Sequence, residues 1–169
     1  MSVTVGGINK TTQPFYKYAD STITVTPAAT SGTGVTLTAS ADAFVSGHNG
    51  TYLKIGGKQV KITGFTSATQ VTITIVETLA GTSAEADWAE QLLSSVRGFP
   101  QAVSFHDNRL WFAGARDKPS AVVASQIGGY FNFDLGTGLA NEGINVSITG
   151  DTVNEIRHLV SSRNLQIFT

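Results

Sequence analysis

The sequence contains no cysteine, which closes off both disulfides and thiolate metal sites. Charge is scarce as well. Asp, Glu, Lys and Arg make up 14% of the chain, against about 25% in an average soluble domain. Eleven basic residues face twelve acidic ones, for a net charge of −1, and neither half departs from balance. A nucleic-acid binder carries a basic face, and no cluster here supplies one. Long apolar runs are missing too: none approaches the ~18 residues of a membrane span. The opening Met1-Ser2-Val3-Thr4-Val5-Gly6-Gly7 lacks the basic and apolar regions of a signal peptide. The sequons at Asn9, Asn49 and Asn145 are accordingly read as chance in a Thr-rich chain.

What is present in excess is threonine, and in one half only. Seventeen of the twenty-two Thr residues precede residue 80, whereas Trp and Arg occur only after residue 85. A branched Cβ suits a pleated surface. Residues 21–81 are therefore expected to form a compact Thr-rich β module after an N-terminal arm over 1–20. Ile23 and Val25 alternate with Thr22, Thr24 and Thr26, and Val35 and Leu37 with Thr36 and Thr38. Leu53 and Ile55 run into Gly56-Gly57, after which come Val60 and Ile62. A Gly-Gly pair supplies the positive φ of a two-residue type I′ turn. That turn predicts Leu53 opposite Val60, Thr51 opposite Ile62 and Ile55 opposite Lys58. Ser67-Ala68-Thr69 then separates this hairpin from Val71, Ile73 and Ile75. The sum is about five short strands, enough for a small sandwich or barrel.

Residues 82–98 read differently. Thr82 and Glu85 have capping-box spacing, and Trp88, Leu92 and Val96 recur at helical spacing. A short helix or an ordered connector is expected, ended by Gly98-Phe99-Pro100. Strands resume over 99–169. Val103 and Phe105 lead through His106-Asp107-Asn108-Arg109 to Leu110 and Phe112. Fifty-five residues on, His158 and Val160 lead through Ser161-Ser162-Arg163-Asn164 to Leu165 and Ile167. Periods of about 40–50 residues are typical of propeller blades, so a partial β-propeller of antiparallel blades is expected. The apolar Leu165-Gln166-Ile167-Phe168 suggests a piece of a longer chain, or a last strand that pairs with a partner.

Candidate chemistry is thin. His106-Asp107 has the look of a metal dyad, but it sits in a predicted turn, where Asp and Asn are at home. His48, His106 and His158 are too scattered for a zinc motif. There is no G-x-S-x-G elbow. Asp107, Asp117, Asp134, Asp151 and Glu155 are the carboxylates from which a glycosidase pair would be drawn. Gly136-Thr137-Gly138 lacks the phosphate-loop Lys and reads as a turn. Trp111, Phe112, Tyr130, Phe131 and Phe133 form the strongest local feature. They are expected to pack as core, with Phe131 and Phe133 on one strand face, although exposed aromatics would offer a sugar-stacking platform. No catalytic, cofactor-binding or metal residue is assigned, and the chain is expected not to be an enzyme.

The run Arg97-Gly98-Phe99-Pro100-Gln101-Ala102-Val103-Ser104-Phe105-His106-Asp107-Asn108-Arg109-Leu110-Trp111-Phe112-Ala113-Gly114 resembles a segment of the tail tubular, or nozzle-type, virion proteins of short-tailed bacteriophages. Lys118-Pro119, Ser125, Gly129-Tyr130-Phe131-Asn132-Phe133-Asp134 and Asn154-Glu155-Ile156-Arg157 extend the likeness, as does the Thr-rich module ending near Asp87-Trp88. The resemblance implies a β-propeller carrying inserted β modules, in a chain of which this sequence is one part. It further implies homo-oligomers that meet neighbouring tail proteins, passive contact with passing DNA, and residence in the virion after assembly in the host cytoplasm. It implies that Arg109 anchors a tight turn, and it brings no catalytic residue. Two rival functions follow from the residues alone: a carbohydrate-binding or adhesion module, and a tail-borne glycan hydrolase.

Overall fold

A computed structural model describes residues 11–149 and 154–169. It is all-β, with no α-helix among the described residues. The chain divides into two compact units: Phe15–Phe99, and Pro100–Thr169 together with the segment that ends at Pro14.

The Phe15–Phe99 unit holds β1 (Phe15–Tyr16), β2 (Val25–Pro27), β3 (Val35–Ala39), β4 (Tyr52–Ile55), β5 (Lys58–Ser67), β6 (Gln70–Ile75) and β7 (Trp88–Gln91). These form one antiparallel sheet in the order β1-β7-β4-β5-β6-β3-β2. It curls into a half-barrel. Two contacts hold the curl. Val25 of β2 exchanges both backbone hydrogen bonds with Glu85, just ahead of β7. The Trp88 indole N–H also donates to the Ile23 carbonyl at 2.8 Å. Inside lie Leu37, Leu53, Val60, Ile62, Val71, Ile73 and Trp88, each at most 1% exposed.

The Gly56-Gly57 turn forms as the sequence predicts. Leu53 pairs with Val60 and Ile55 with Lys58, and the Ile62 N–H donates to the Thr51 carbonyl at 2.9 Å. Both glycines have positive φ, 52° and 78°. A Cβ on Gly57 would meet nothing within 4 Å, so the glycine is required by backbone conformation and not by space. Replacing both by Val is expected to destabilise this unit by about 1–3 kcal/mol, because β-branched residues resist φ > 0. An unchanged denaturation midpoint would show that the turn does not set the register.

The helix or connector expected over 82–98 is not what forms. Residues 88–91 are β7, an interior strand that pairs with both β4 and β1. The true period is two: Trp88, Glu90, Leu92 and Ser94 are buried in alternation. Glu90 hid that period, since a carboxylate at an inward position reads as outward. The Glu85 carboxylate makes no capping box; it accepts from the Asp87 N–H. The N-terminal arm is also divided differently. Phe15–Tyr16 extend the sheet as β1, while Thr12 belongs to the second unit and pairs in parallel with Asn132 within it. Residues 1–10 of the arm lie outside the described residues.

The second unit holds β8 (Ala102–His106), β9 (Arg109–Ala115), β10 (Lys118–Ala124), β11 (Ile144–Ser147), β12 (His158–Ser161) and β13 (Leu165–Phe168). Strands β8 to β11 form a four-stranded antiparallel meander, and β12 and β13 a hairpin. The hairpin packs on one face of the meander: Leu159 and Leu165 meet Ala102, Trp111, Ala113 and Val122. Gly114 permits this approach. Its φ is 72°, and a Cβ there would strike the Ile156 carbonyl oxygen.

The two similar hairpins differ by one residue at their turns. His106 pairs with Arg109 around Asp107-Asn108, which adopt φ of 47° and 55°. Ser161 pairs with Leu165 around three residues. One extra residue shifts register and exchanges faces. Val103, Phe105, Leu110 and Phe112 therefore share one face. Of their counterparts, His158 and Val160 face outward with Gln166 and Phe168, while Leu165 and Ile167 face inward with Leu159.

Candidate interaction surface

The loop joining β10 to β11, residues 125–143, carries most of the aromatic cluster. Buried Arg109 holds it from beneath. The guanidinium donates to the carbonyls of Ser125, at 2.6 Å, and of Ala140 and Glu142. Arg109 thus braces a long loop, beyond the tight turn that the resemblance implied. The Glu142 carboxylate accepts from the N–H groups of Thr137 and Leu139, each at 2.7 Å. Those bonds outweigh its slight desolvation and hold its pKa below the ordinary range; the Leu139 bond is the largest cause. Gln126 and Asn132 bond to each other through their side chains, and the Asn132 side-chain oxygen accepts from the Asp134 N–H.

This bracing presents apolar groups to solvent. Phe133 is buried and stacks on Phe112 with 5.6 Å between centroids. Phe131, by contrast, is 70% exposed. The expectation that Phe131 and Phe133 share a strand face fails because residues 126–134 form turns and isolated bridges, not a strand. Tyr130 packs edge-on against Phe105, 5.3 Å between centroids, and Phe105 is itself 63% exposed beside Val103 at 59%. Trp111 belongs to the opposite face of the meander, with its indole N–H donated to the His106 carbonyl. The exposed apolar residues here are therefore Val103, Phe105 and Tyr130 beside β8, with Phe131, Ile127 and Leu139 exposed along the loop.

The polar candidates do not converge. His106 lies at the strand end, its Nδ1 3.0 Å from the Ser161 hydroxyl and its Nε2 3.3 Å from Asp107. His48 belongs to the other unit, and His158 is exposed on β12. Asp107 and Asp117 occupy the turns at opposite ends of β9, roughly 20 Å apart by strand rise. Asp117 pairs with Arg116, and Glu155 with Arg157. Asp134 caps a turn through Gly136, and Asp151 lies outside the described residues. No three His, Asp or Glu side chains gather among the described residues. A shallow cleft of about 250 Å³ lies between Pro27, Ile55, Leu79 and Glu85, below the usual 300–1,000 Å³ of ligand pockets.

One cluster escaped the sequence reading. Glu90, 2% exposed, receives two parallel bonds from Arg97, each at 2.8 Å, and one from His48 Nε2 at 2.9 Å. The Val45 N–H donates to His48 Nδ1, which leaves Nε2 as the ring nitrogen facing Glu90. The Arg97 guanidinium lies over the Tyr18 ring, 4.2 Å from its centroid. Burial raises the Glu90 pKa, but the His48 and Arg97 bonds outweigh it and hold the carboxyl below its ordinary range. Every Glu90 oxygen is engaged and enclosed, which makes this a structural lock with no access for a substrate.

Neither protein-family models nor curated proteins match this sequence.

Proposed function

We propose that the chain is a non-catalytic structural component of a bacteriophage tail, part of a tube or nozzle conduit, located in the virion after assembly in the host cytoplasm. The observation that carries this reading is the second unit. A sequential four-stranded antiparallel meander followed by a hairpin on its face has the form of one propeller blade and the start of the next. It falls on the segment whose residues resemble the tail tubular proteins. The curled Thr-rich unit before it is then the inserted module, closer to an open barrel than to a two-sheet sandwich. Near-neutral charge agrees with subunit packing, since unpaired charge is costly to bury at an interface.

The carbohydrate-binding rival draws on the exposed Phe131 and Tyr130. Against it, Gln126 and Asn132, the amides beside those rings, are committed to each other, and Tyr130 meets Phe105 edge-on. Mass spectrometry of purified particles of the phage whose genome encodes the chain is the test. Peptides from this sequence should appear in stoichiometric amount with other tail proteins; their absence from intact virions ends the reading. Binding on a glycan array that is lost in Phe131→Ala would favour the rival.

A further inference from the structure

The chain contains one Asn-Gly pair, Asn49-Gly50. The backbone requires glycine there. Residues 48–51 form a type II turn: Asn49 has φ −57° and ψ 126°, Gly50 has φ 89°, and the Thr51 N–H donates to the His48 carbonyl at 3.0 Å. Gly50 and Thr51 then both face Ile62 of β5. The Gly50 N–H donates to the Ile62 carbonyl and the Ile62 N–H to the Thr51 carbonyl, each at 2.9 Å. This is a glycine bulge, two residues opposite one with φ > 0 at the first. A Cβ on Gly50 would meet nothing within 4 Å, so conformation alone selects glycine.

That choice leaves a chemically labile link. Asn49 is exposed, and glycine puts no side chain in the path of attack. Once it loses its proton, the Gly50 nitrogen can attack the side-chain carbonyl carbon of Asn49. A C–N bond forms and the side-chain nitrogen leaves as ammonia. Water then opens the cyclic imide. Attack at the side-chain carbonyl gives aspartate, whereas attack at the main-chain carbonyl gives isoaspartate, whose Cβ lies in the main chain. The turn opposes the first step twice. At ψ 126° the Gly50 nitrogen is turned away from the Asn49 side chain, and its N–H is committed to Ile62.

We infer that Asn49 is a modification site whose spontaneous conversion is gated by this turn and, once it occurs, unfastens the Glu90 cluster. His48 is the first residue of the turn. Its carbonyl accepts both the Thr51 N–H and the Thr51 hydroxyl, the latter at 2.7 Å, and its Nε2 meets Glu90 at 2.9 Å. An extra backbone atom between residues 49 and 50 breaks the four-residue geometry that closes on that carbonyl. Isoaspartate therefore loosens His48, and with it one of the partners of the buried Glu90 carboxylate.

Incubation of the full chain in mildly alkaline buffer, with and without urea, tests the gate. Peptide mass spectrometry follows conversion, and enzymatic methylation marks isoaspartate. In urea Asn49 should be the first asparagine to convert. In the folded chain it should convert on the order of tenfold or more slowly, because the rate follows the open fraction of the turn. Another asparagine converting first in urea overturns the site, as does an Asn49 that stays intact in the folded chain on prolonged incubation. Equal rates in the two conditions overturn the gate. Thr51→Val removes the hydroxyl bond to His48 and should speed conversion in the folded chain but not in urea; an unchanged folded rate overturns the part given to the turn. Should that variant not fold, the comparison of the unsubstituted chain with and without urea still decides. The isoaspartyl chain, separated by its added negative charge, should show a shifted His48 ring resonance and a lower denaturation midpoint. Asn49→Asp carries the charge without the extra backbone atom and should keep the midpoint. A midpoint unchanged by isoaspartate, or lowered equally by Asn49→Asp, overturns the link from the backbone to Glu90.

Discussion

Replacing Glu90 by Ala is expected to destabilise the Phe15–Phe99 unit by about 3–5 kcal/mol, the range for breaking a buried ion pair from one side. The carboxylate meets a bidentate guanidinium and an imidazole N–H while 2% exposed. Its removal leaves the partly exposed Arg97 without its fork partner and the buried His48 Nε2 without an acceptor. Denaturant unfolding, followed by hydrogen exchange at the β4 and β5 amides, measures the loss. A shift below about 1 kcal/mol would mean that Arg97 swings to solvent at little cost, and the lock would be incidental. Glu90→Gln keeps the shape and removes the charge, which makes it the reference for pH. The folded-state pKa lies below the ordinary 4.5. The unfolded chain therefore binds the proton first as pH falls. Stability from Glu90 is fully present above about pH 5 and is lost as pH drops from 4.5 through the depressed folded value. The chain should lose stability over that interval relative to Glu90→Gln. Parallel curves for the two would show that Glu90 carries no differential interaction.

The parts legible in the sequence were those governed by local rules. The Gly56-Gly57 hairpin followed from turn chemistry and alternation, which agreed with each other, and its register formed as expected. Residues 82–98 were misread because Glu90 occupies an inward position that only distant partners, His48 and Arg97, make tolerable. No window of neighbouring residues contains that information. The Phe131 orientation failed for a related reason. Alternation is meaningful only inside a strand, and this loop is shaped by Arg109, whose bonds span up to 33 residues of sequence. The 55-residue similarity between hairpins was visible, but the extra turn residue that exchanges their faces acts through register, which residue spacing does not display. As for the candidate surface, the aromatics were found in the sequence. Which of them are exposed was set by packing on the meander, and Trp111 fell on the opposite face.

Replacing Arg109 by Met should release the 125–143 loop. Methionine retains much of the aliphatic stem that packs beneath the loop but removes every donor. The carbonyls of Ser125, Ala140 and Glu142 then lose their partner. An unsatisfied buried polar group costs about 1–3 kcal/mol, and the Ser125 carbonyl belongs to a residue that is 0% exposed. The expected loss is therefore about 2–4 kcal/mol, less than three full penalties because the outer carbonyls reach water once the loop opens. Arg109→Lys should recover only part of it, since one ammonium cannot reproduce the planar fork that reaches three acceptors. Hydrogen exchange locates the effect: amides of residues 125–143 should lose protection while those of β4 and β5 do not change. Phe131 and Tyr130 would lose their fixed placement along with loop protection. Retained protection across 125–143 in Arg109→Met would show that the Glu142 clasp and the Gln126–Asn132 pair suffice, and that the buried guanidinium does not organise the surface.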